Sequence, residues 1–389
     1  RHFFARRSVA PAPADATLPP IYLGLRGAGE YGPGSPDNPA TGEVICGVAI
    51  QTFVPRKILV TGASGFVGQF LLEKLVSSAQ MGTTIVALHN HGLDTALEGR
   101  FGDRVVWIKG DIAADDLSEA AAGVDTVFHL AAYSTTSEAD DERRRLERVN
   151  VLGTRRLATA CKESGARHFI FVSSIAACEA ATVPEIDEEN GVPVSAYGRS
   201  KKAAEQLLME MAGNGFEVTV LRPTALFGEN HLGSVYELAK LIDQGRFFLF
   251  GRGNGQTNFY YIRDFVDVLS AVQHDPRTFG QMFIAADESI ALRELAFLIG
   301  AELELRRNVP SIPYSLGFCV AAACDVASKI VGRPLPLSMR RFRAMTGNTS
   351  YSSRKLKEVL GIFPAFGTRE GLRKAVAWYR LAELIGARS

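Results

Sequence analysis

Lys57-Ile58-Leu59-Val60-Thr61-Gly62-Ala63-Ser64-Gly65-Phe66-Val67-Gly68 is the stretch that decides the fold of this chain. Lys57 to Val60 reads as a short buried strand, and the apolar spacing from Phe66 to Ser77 reads as a helix. Between them Gly62, Gly65 and Gly68 form a Gly-x-x-Gly-x-x-Gly turn, one residue wider in its first step than the usual dinucleotide fingerprint. Glycines let a backbone come close to a pyrophosphate, and the opening helix offers N–H groups carrying partial positive charge. In this order the elements predict a nucleotide cofactor lying against Gly62, Gly65, Phe66, Val67 and Gly68.

The pattern continues outward from that turn. Strands are expected at Thr84–Leu88, Val105–Lys109, Thr126–Leu130, His168–Val172 and Glu217–Leu221, with helices between most of them, such as Arg143–Glu163 and Ala196–Met211. Strands of Val, Ile and Phe alternating with helices imply an α/β fold, a doubly wound parallel sheet covered on both faces. Beyond Arg222 the alternation loosens, and helices are expected at Val235–Asp243, Ala291–Leu298, Leu316–Val331 and Arg369–Ile385. The expected organisation is a cofactor domain over 56–225, with 258–275 returning to it. A smaller, mostly helical substrate lobe takes 226–257 and 276–389. Residues 1–55 hold no hydrophobic period and read as an extended or disordered arm. Three arginines against one acid in the first twenty residues leave an organelle leader as the alternative to a cytoplasmic location.

Composition narrows the function. The chain has 389 residues, 47% of them apolar and 22% charged, which suits a globular protein with a large core. A net charge of +1 with no contiguous basic run argues against a nucleic-acid partner. Cys46, Cys161, Cys178, Cys319 and Cys324 form no Cys-x-x-Cys pair, so neither a disulfide framework nor a zinc site is expected. The apolar stretch Leu316 to Ala323 is too short to span a bilayer. It reads as a buried helix, with a surface for membrane or lipid-like substrate as the alternative.

Tyr197-Gly198-Arg199-Ser200-Lys201 carries the chemistry. On a helix, a tyrosine and a lysine four apart share a face, about 6 Å apart at Cβ. The lysine charge is expected to lower the phenol pKa, so that Tyr197 can move a proton near neutral pH.

Several motifs stand in a fixed order: Thr61–Gly68, Gly110-Asp111-Ile112, His129-Leu130-Ala131-Ala132, Asn150-Val151-Leu152-Gly153-Thr154, Ser173-Ser174, Tyr197 to Lys201 and Leu221-Arg222-Pro223. In these the chain resembles the extended short-chain dehydrogenase/reductases, the NAD-dependent epimerase/dehydratase family, from about Arg56 to Ile385. The resemblance implies a Rossmann-type domain binding NAD or NADP and a small-molecule substrate, often in a homodimer. It implies that Asp111 and Ile112 contact adenine, that Leu130, Ala131 and Ala132 line the cofactor, and that Pro223 sits beside the nicotinamide. Asn150 would support the central helix and order a relay water. Ser174 would hold the substrate oxygen near Tyr197, and Lys201 would bind the nicotinamide ribose. The reaction implied is hydride transfer at a secondary alcohol or ketone, with Tyr197 handling the hydroxyl proton. His89, Asn90 and His91 stand where the adenosine ribose is read, and the lack of an acid there leans toward NADP.

Departures from the family pattern bear on the substrate. Ser174 is followed by Ile175-Ala176 rather than the Asp-Glu pair of sugar-nucleotide dehydratases, and Cys178-Glu179 replaces the Tyr-Gly of many epimerases. Thr257-Asn258-Phe259 lacks the arginine that grips a diphosphate, leaving Arg252, Arg263 or Arg343 as candidates to compensate. The run Tyr351 to Leu356, with Leu360-Gly361, Pro364 and Trp378-Tyr379, resembles many family members. The leading expectation is a nucleotide-sugar 4-epimerase or keto-reductase. The alternatives are a 3β-hydroxysteroid dehydrogenase-like or dihydroflavonol reductase-like enzyme on an apolar substrate, and a non-catalytic cofactor-binding accessory subunit. No metal is expected.

Overall fold

A computed structural model describes residues 57–386, apart from 91, 92, 94, 182, 184, 306–308, 332–334 and 336. The expected arm at 1–55 and the reading of His91 lie outside these residues. Seven parallel strands form one sheet: β1 (Lys57–Thr61), β2 (Thr84–His89), β3 (Val105–Lys109), β4 (Thr126–His129), β5 (His168–Val172), β6 (Glu217–Pro223) and β7 (Gln281–Ala285). Their spatial order is β7-β6-β5-β4-β1-β2-β3. β1 pairs with β2 on one side and β4 on the other, Thr61 lying opposite both Leu88 and His129. The strand order reverses there, which places a crevice at the carboxyl ends of β1 and β4.

The sheet is covered on both faces because β1 alternates. Ile58 and Val60 join one core cluster, with Leu71 and Leu75 of helix α1 (Phe66–Ser78). Leu59 joins a second cluster on the other face, with Leu157 and Leu208. Each such side chain, taken fully out of water, contributes about 1.5–3 kcal/mol. Leu157 comes from the run α2 (Asp140–Leu146), a π-helical segment Glu147–Gly153, and α3 (Thr154–Glu163). Leu208 comes from α4 (Ala196–Met211).

The return to the sheet extends further than expected. Helix α5 (Ile262–Val272) packs on α1, and β7 pairs in parallel with β6, although it falls within the stretch assigned to the lobe from sequence. The chain after β7 includes helices α6 (Tyr314–Val331), α7 (Met339–Thr346) and α8 (Gly367–Leu381), the last packing into the same core cluster as β1.

Candidate active site

The glycine turn is built by close backbone approach. Gly62 has φ +65°, and a Cβ on it would lie 2.8 Å from the Ala131 nitrogen. A Cβ on Gly68 would lie 2.5 Å from the Gly62 carbonyl oxygen, so the first turn of α1 can sit on the loop only without a side chain there. Gly65 is exposed and precedes a helix whose first turn holds no acid and whose N-cap makes no side-chain bond. That is the cradle an anionic pyrophosphate needs, with the helix dipole in its favour. The residues present therefore fit a dinucleotide.

A cleft of about 340 Å³ runs from this turn across the carboxyl ends of the strands, within the usual size of a ligand pocket. Gly62, Gly65, Asp111, Ile112, Leu130, Ala131 and Ala132 line it. Asp111 accepts a hydrogen bond from the Ala113 N–H at 2.8 Å, which fixes the carboxylate at the cleft edge. Phe66 and Val67 instead pack into the core, and the Phe66 ring stacks on His231 at 4.1 Å. Pro223 is buried at the end of β6 opposite Ala285.

The reading of His89 as a cofactor contact needs revision. In β2 alternate residues face the same way, and it is Leu88 and Asn90 that reach the cleft wall. His89 is buried on the other face, edge-on to Trp107 at 6.0 Å. Burial, helped by the Lys109 charge, holds its imidazole below the ordinary histidine range.

Asn150 sits in the π-helical segment and ties three elements together. Its side-chain oxygen accepts from the Tyr133 N–H at 2.8 Å, and its amide donates to the Tyr133 carbonyl and to Ser200 Oγ, both at 2.9 Å. Both donors are thus spent on protein, in support of the loop after β4 and of α4. Next to it His129 bridges Thr61 Oγ1 at 2.7 Å and Thr154 Oγ1 at 2.9 Å. Complete burial, with a smaller push from Lys201, lowers its pKa to about 3, so this link is neutral.

Ser174 and Tyr197 are neighbours. The Ser174 hydroxyl caps a short 3-10 turn by accepting from Ala176 N–H at 3.2 Å, and it lies close enough to the Tyr197 phenol to influence its pKa. Gly198 makes the approach possible: a Cβ there would lie 2.1 Å from the Ala176 carbonyl oxygen. The start of α4 is pinned by Ser195 Oγ accepting from Gly198 N–H at 3.1 Å and by Glu138 accepting from Ala196 N–H at 2.8 Å.

The expected lowering of the Tyr197 pKa by Lys201 is not found. Burial raises the phenol pKa, and the neighbouring Ser174 hydroxyl works in the opposite direction. Lys201 is buried with its ammonium turned to the Val172 carbonyl oxygen at 2.9 Å and over the Phe171 ring at 4.8 Å. Burial pushes it down to about 8, against the raising effect of the nearby Glu205 carboxylate.

Sequence reading missed what lies behind this helix. Arg222 is fully buried and forms a bidentate pair with Glu205, at 2.7 and 2.6 Å, and donates to the Glu188 carbonyl at 2.9 Å. Glu205 also accepts from Ser173 Oγ at 2.6 Å. The pair joins α4 to β6, the strand that ends at Pro223. A lone arginine inside the apolar strand Glu217–Pro223 was the available signal, because such a charge needs a buried partner. Of the three arginines considered for a diphosphate, Arg263 pairs with Glu229 and Glu73 beside α1. Arg252 and Arg343 are exposed. Cys178 is buried and its thiol pKa is raised, mainly by burial.

Known proteins resemble this chain in sequence and in fold. The model of the NAD dependent epimerase/dehydratase family matches residues 58–284. The chain is 29% identical to N-acetyl-alpha-D-glucosaminyl-diphospho-ditrans,octacis-undecaprenol 4-epimerase of Escherichia coli O157:H7, over 82% of this chain and 94% of that one. It is 28% identical to UDP-glucose 4-epimerase of Vibrio cholerae, over 72% and 86%. A mouse (Mus musculus) relative, sterol-4-alpha-carboxylate 3-dehydrogenase, decarboxylating, is 27% identical over 82% and 90%. Among solved structures, UDP-glucuronic acid 4-epimerase from Bacillus cereus in complex with NAD superposes with a TM-score of 0.66 at 20% identity, covering 84% of this chain and 99% of that one. This protein is an NAD-dependent enzyme that belongs to the NAD dependent epimerase/dehydratase family.

Proposed function

We propose that the chain is a 4-epimerase of sugars carried on a diphosphate, with Ser174, Tyr197 and Lys201 as its catalytic residues. The observation that carries the reading is the closeness of Ser174 to the Tyr197 phenol, one helical turn before buried Lys201, together with a cleft that fits a dinucleotide. NAD, when bound, supplies the acceptor and donor of hydride. The two hydroxyls of Ser174 and Tyr197 converge on one substrate oxygen. Tyr197 takes the proton from the sugar hydroxyl as the alcohol becomes a ketone, and returns it when the ketone is reduced from its other face. Ser174 holds the oxygen throughout, and Lys201, turned from the Val172 carbonyl, would hold the nicotinamide ribose while its charge favours the phenolate. Asn90, rather than an arginine, at the end of β2 supports NAD over the NADP first inferred from sequence.

The diphosphate-sugar reading is further supported by the 4-epimerases among the relatives. An apolar 3β-hydroxysteroid-type substrate is the second reading. The sterol dehydrogenase relative and the engagement of Arg263 away from the site favour it. Proton NMR of UDP-glucose and UDP-N-acetylglucosamine incubated with the enzyme tests the choice. Conversion to a mixture of C4 epimers without net cofactor reduction is expected. Steady NADH formation from a 3β-hydroxysteroid, with no epimer formed from either sugar, would favour the second reading.

A further inference from the structure

Helix α6 turns its apolar side to solvent. Its two fully buried residues, Gly317 and Ala321, lie one turn apart. Gly317 faces the rings of Phe250 and Phe342, where a Cβ would come within 2.4 Å of Phe250. At 100° per residue, Leu316, Val320, Val326 and Ile330 fall on the outward side, Val320 at its edge and the other three away from the buried pair. They are 54, 43, 61 and 80% exposed. Cys319 and Ala323, between them, are exposed as well. No charged residue interrupts this stripe. Asp325, the one acid of the helix, points inward and accepts from the Met339 N–H at 3.2 Å. A solvated helix ordinarily turns charge to water, so this one is inverted.

A second observation concerns charge. From Val326 to Arg343 the sequence holds five basic residues, Lys329, Arg333, Arg340, Arg341 and Arg343, and no acid. The remainder of a chain of net charge +1 therefore carries −4. Arg340, Arg341 and Arg343 are exposed on α7, which is locked to α6 by Phe342 against Tyr314 at 5.0 Å and Phe318 at 6.1 Å. An apolar stripe beside a cationic field is what an element lying in the headgroup region of an anionic bilayer needs. No helix among the described residues is long and apolar enough to cross a membrane.

We propose that α6 and α7 dock this protein onto an anionic phospholipid bilayer, with Leu316, Val320, Val326 and Ile330 at the acyl boundary and the α7 arginines on lipid phosphates. A second copy fits less well, since a symmetric contact through the stripe would bring two strongly basic patches together. The surface lies outside the cofactor cleft and does not depend on which substrate that cleft takes.

Flotation of the full chain with vesicles provides the test, using phosphatidylcholine alone and phosphatidylcholine mixed with phosphatidylglycerol. Binding about tenfold stronger to the anionic vesicles, and weakened by high salt, is expected. Val326→Glu combined with Ile330→Glu should reduce it about tenfold while the melting temperature is kept. Arg340→Gln combined with Arg343→Gln should reduce it similarly without touching the stripe. Equal recovery in the soluble fraction with both vesicles, or wild-type binding by both double variants, overturns the proposal. So does a dimer in solution that the glutamate variant splits, with no vesicle binding, which would give the stripe to a second copy.

Discussion

Helices α4 and α6, of 16 and 18 residues, each place side chains against the usual rule. α4 carries Lys201 and Glu205 into the interior, whereas α6 leaves Leu316, Val326 and Ile330 outside. In α4 every inverted residue has a partner within the chain: Lys201 the Val172 carbonyl, Glu205 the Arg222 guanidinium and Ser173. The α6 stripe is apolar and offers no directional bond. Burying a charge is tolerated only where its partners are built in, so α4 describes a finished site. An exposed apolar stripe costs the fold little and finds use only against something beyond the chain.

The sharpest way to break this contrast is to remove the α4 phenol. Tyr197→Phe should lower turnover about 10²–10⁴-fold in a spectrophotometric or NMR assay. Near-normal turnover would end the proposed proton transfer. Glu205→Ala leaves Arg222 charged and alone in the interior, and should cost about 3–5 kcal/mol in urea unfolding. A loss below 1 kcal/mol would mean that the pair does not clamp α4 to β6. Acid is expected to act next. His129 and His168 are held neutral in the fold, each with a pKa lowered to about 3, mainly by burial. The unfolded chain binds their protons first, so the stability they contribute is complete above about pH 6.5 and is lost as pH falls toward 3. Each should take away about 2 kcal/mol between pH 6.5 and 5, seen as a falling denaturation midpoint that His129→Asn partly flattens. Gly198→Ala overpacks against the Ala176 carbonyl and should cost about 1–3 kcal/mol, with a larger drop in kcat than in KM because the Ser174–Tyr197 contact is displaced. On α6, Val326→Ser should move stability by less than about 0.5 kcal/mol.

The two helices also mark where sequence reading succeeds. The bounds of Ala196–Met211 are those observed, because Ser195 caps the helix locally and Ala212 leaves it extended. Six strands of the main sheet were legible from runs of Val, Ile and Phe. The seventh, Gln281–Ala285, was not: it opens on Gln and Met after Gly280 and is recognisable mainly by its pairing with β6. The glycine turn was legible because its backbone geometry is local. The Lys201 orientation was not, since spacing along a helix puts two side chains on one face without saying which neighbour the longer one chooses. The π-helical form of Glu147–Gly153 is equally non-local: Asn150 is bonded to Tyr133 and Ser200, far along the chain. For α6 the sequence showed an apolar helix and suggested burial, but among the described residues no element covers its outward side.

One small contact ties a distant loop to the nucleotide turn. The ring of His231 lies flat on Phe66, and the Asn230 amide donates to Gln69 Oε1 at 3.2 Å, so the loop after Phe227 rests on the first turn of α1. The end of α1 that would face a pyrophosphate is therefore braced from outside the glycine turn. A substitution such as His231→Ala, remote in sequence from every glycine of that turn, should weaken dinucleotide binding by loosening the helix start, with no contact to the cofactor removed.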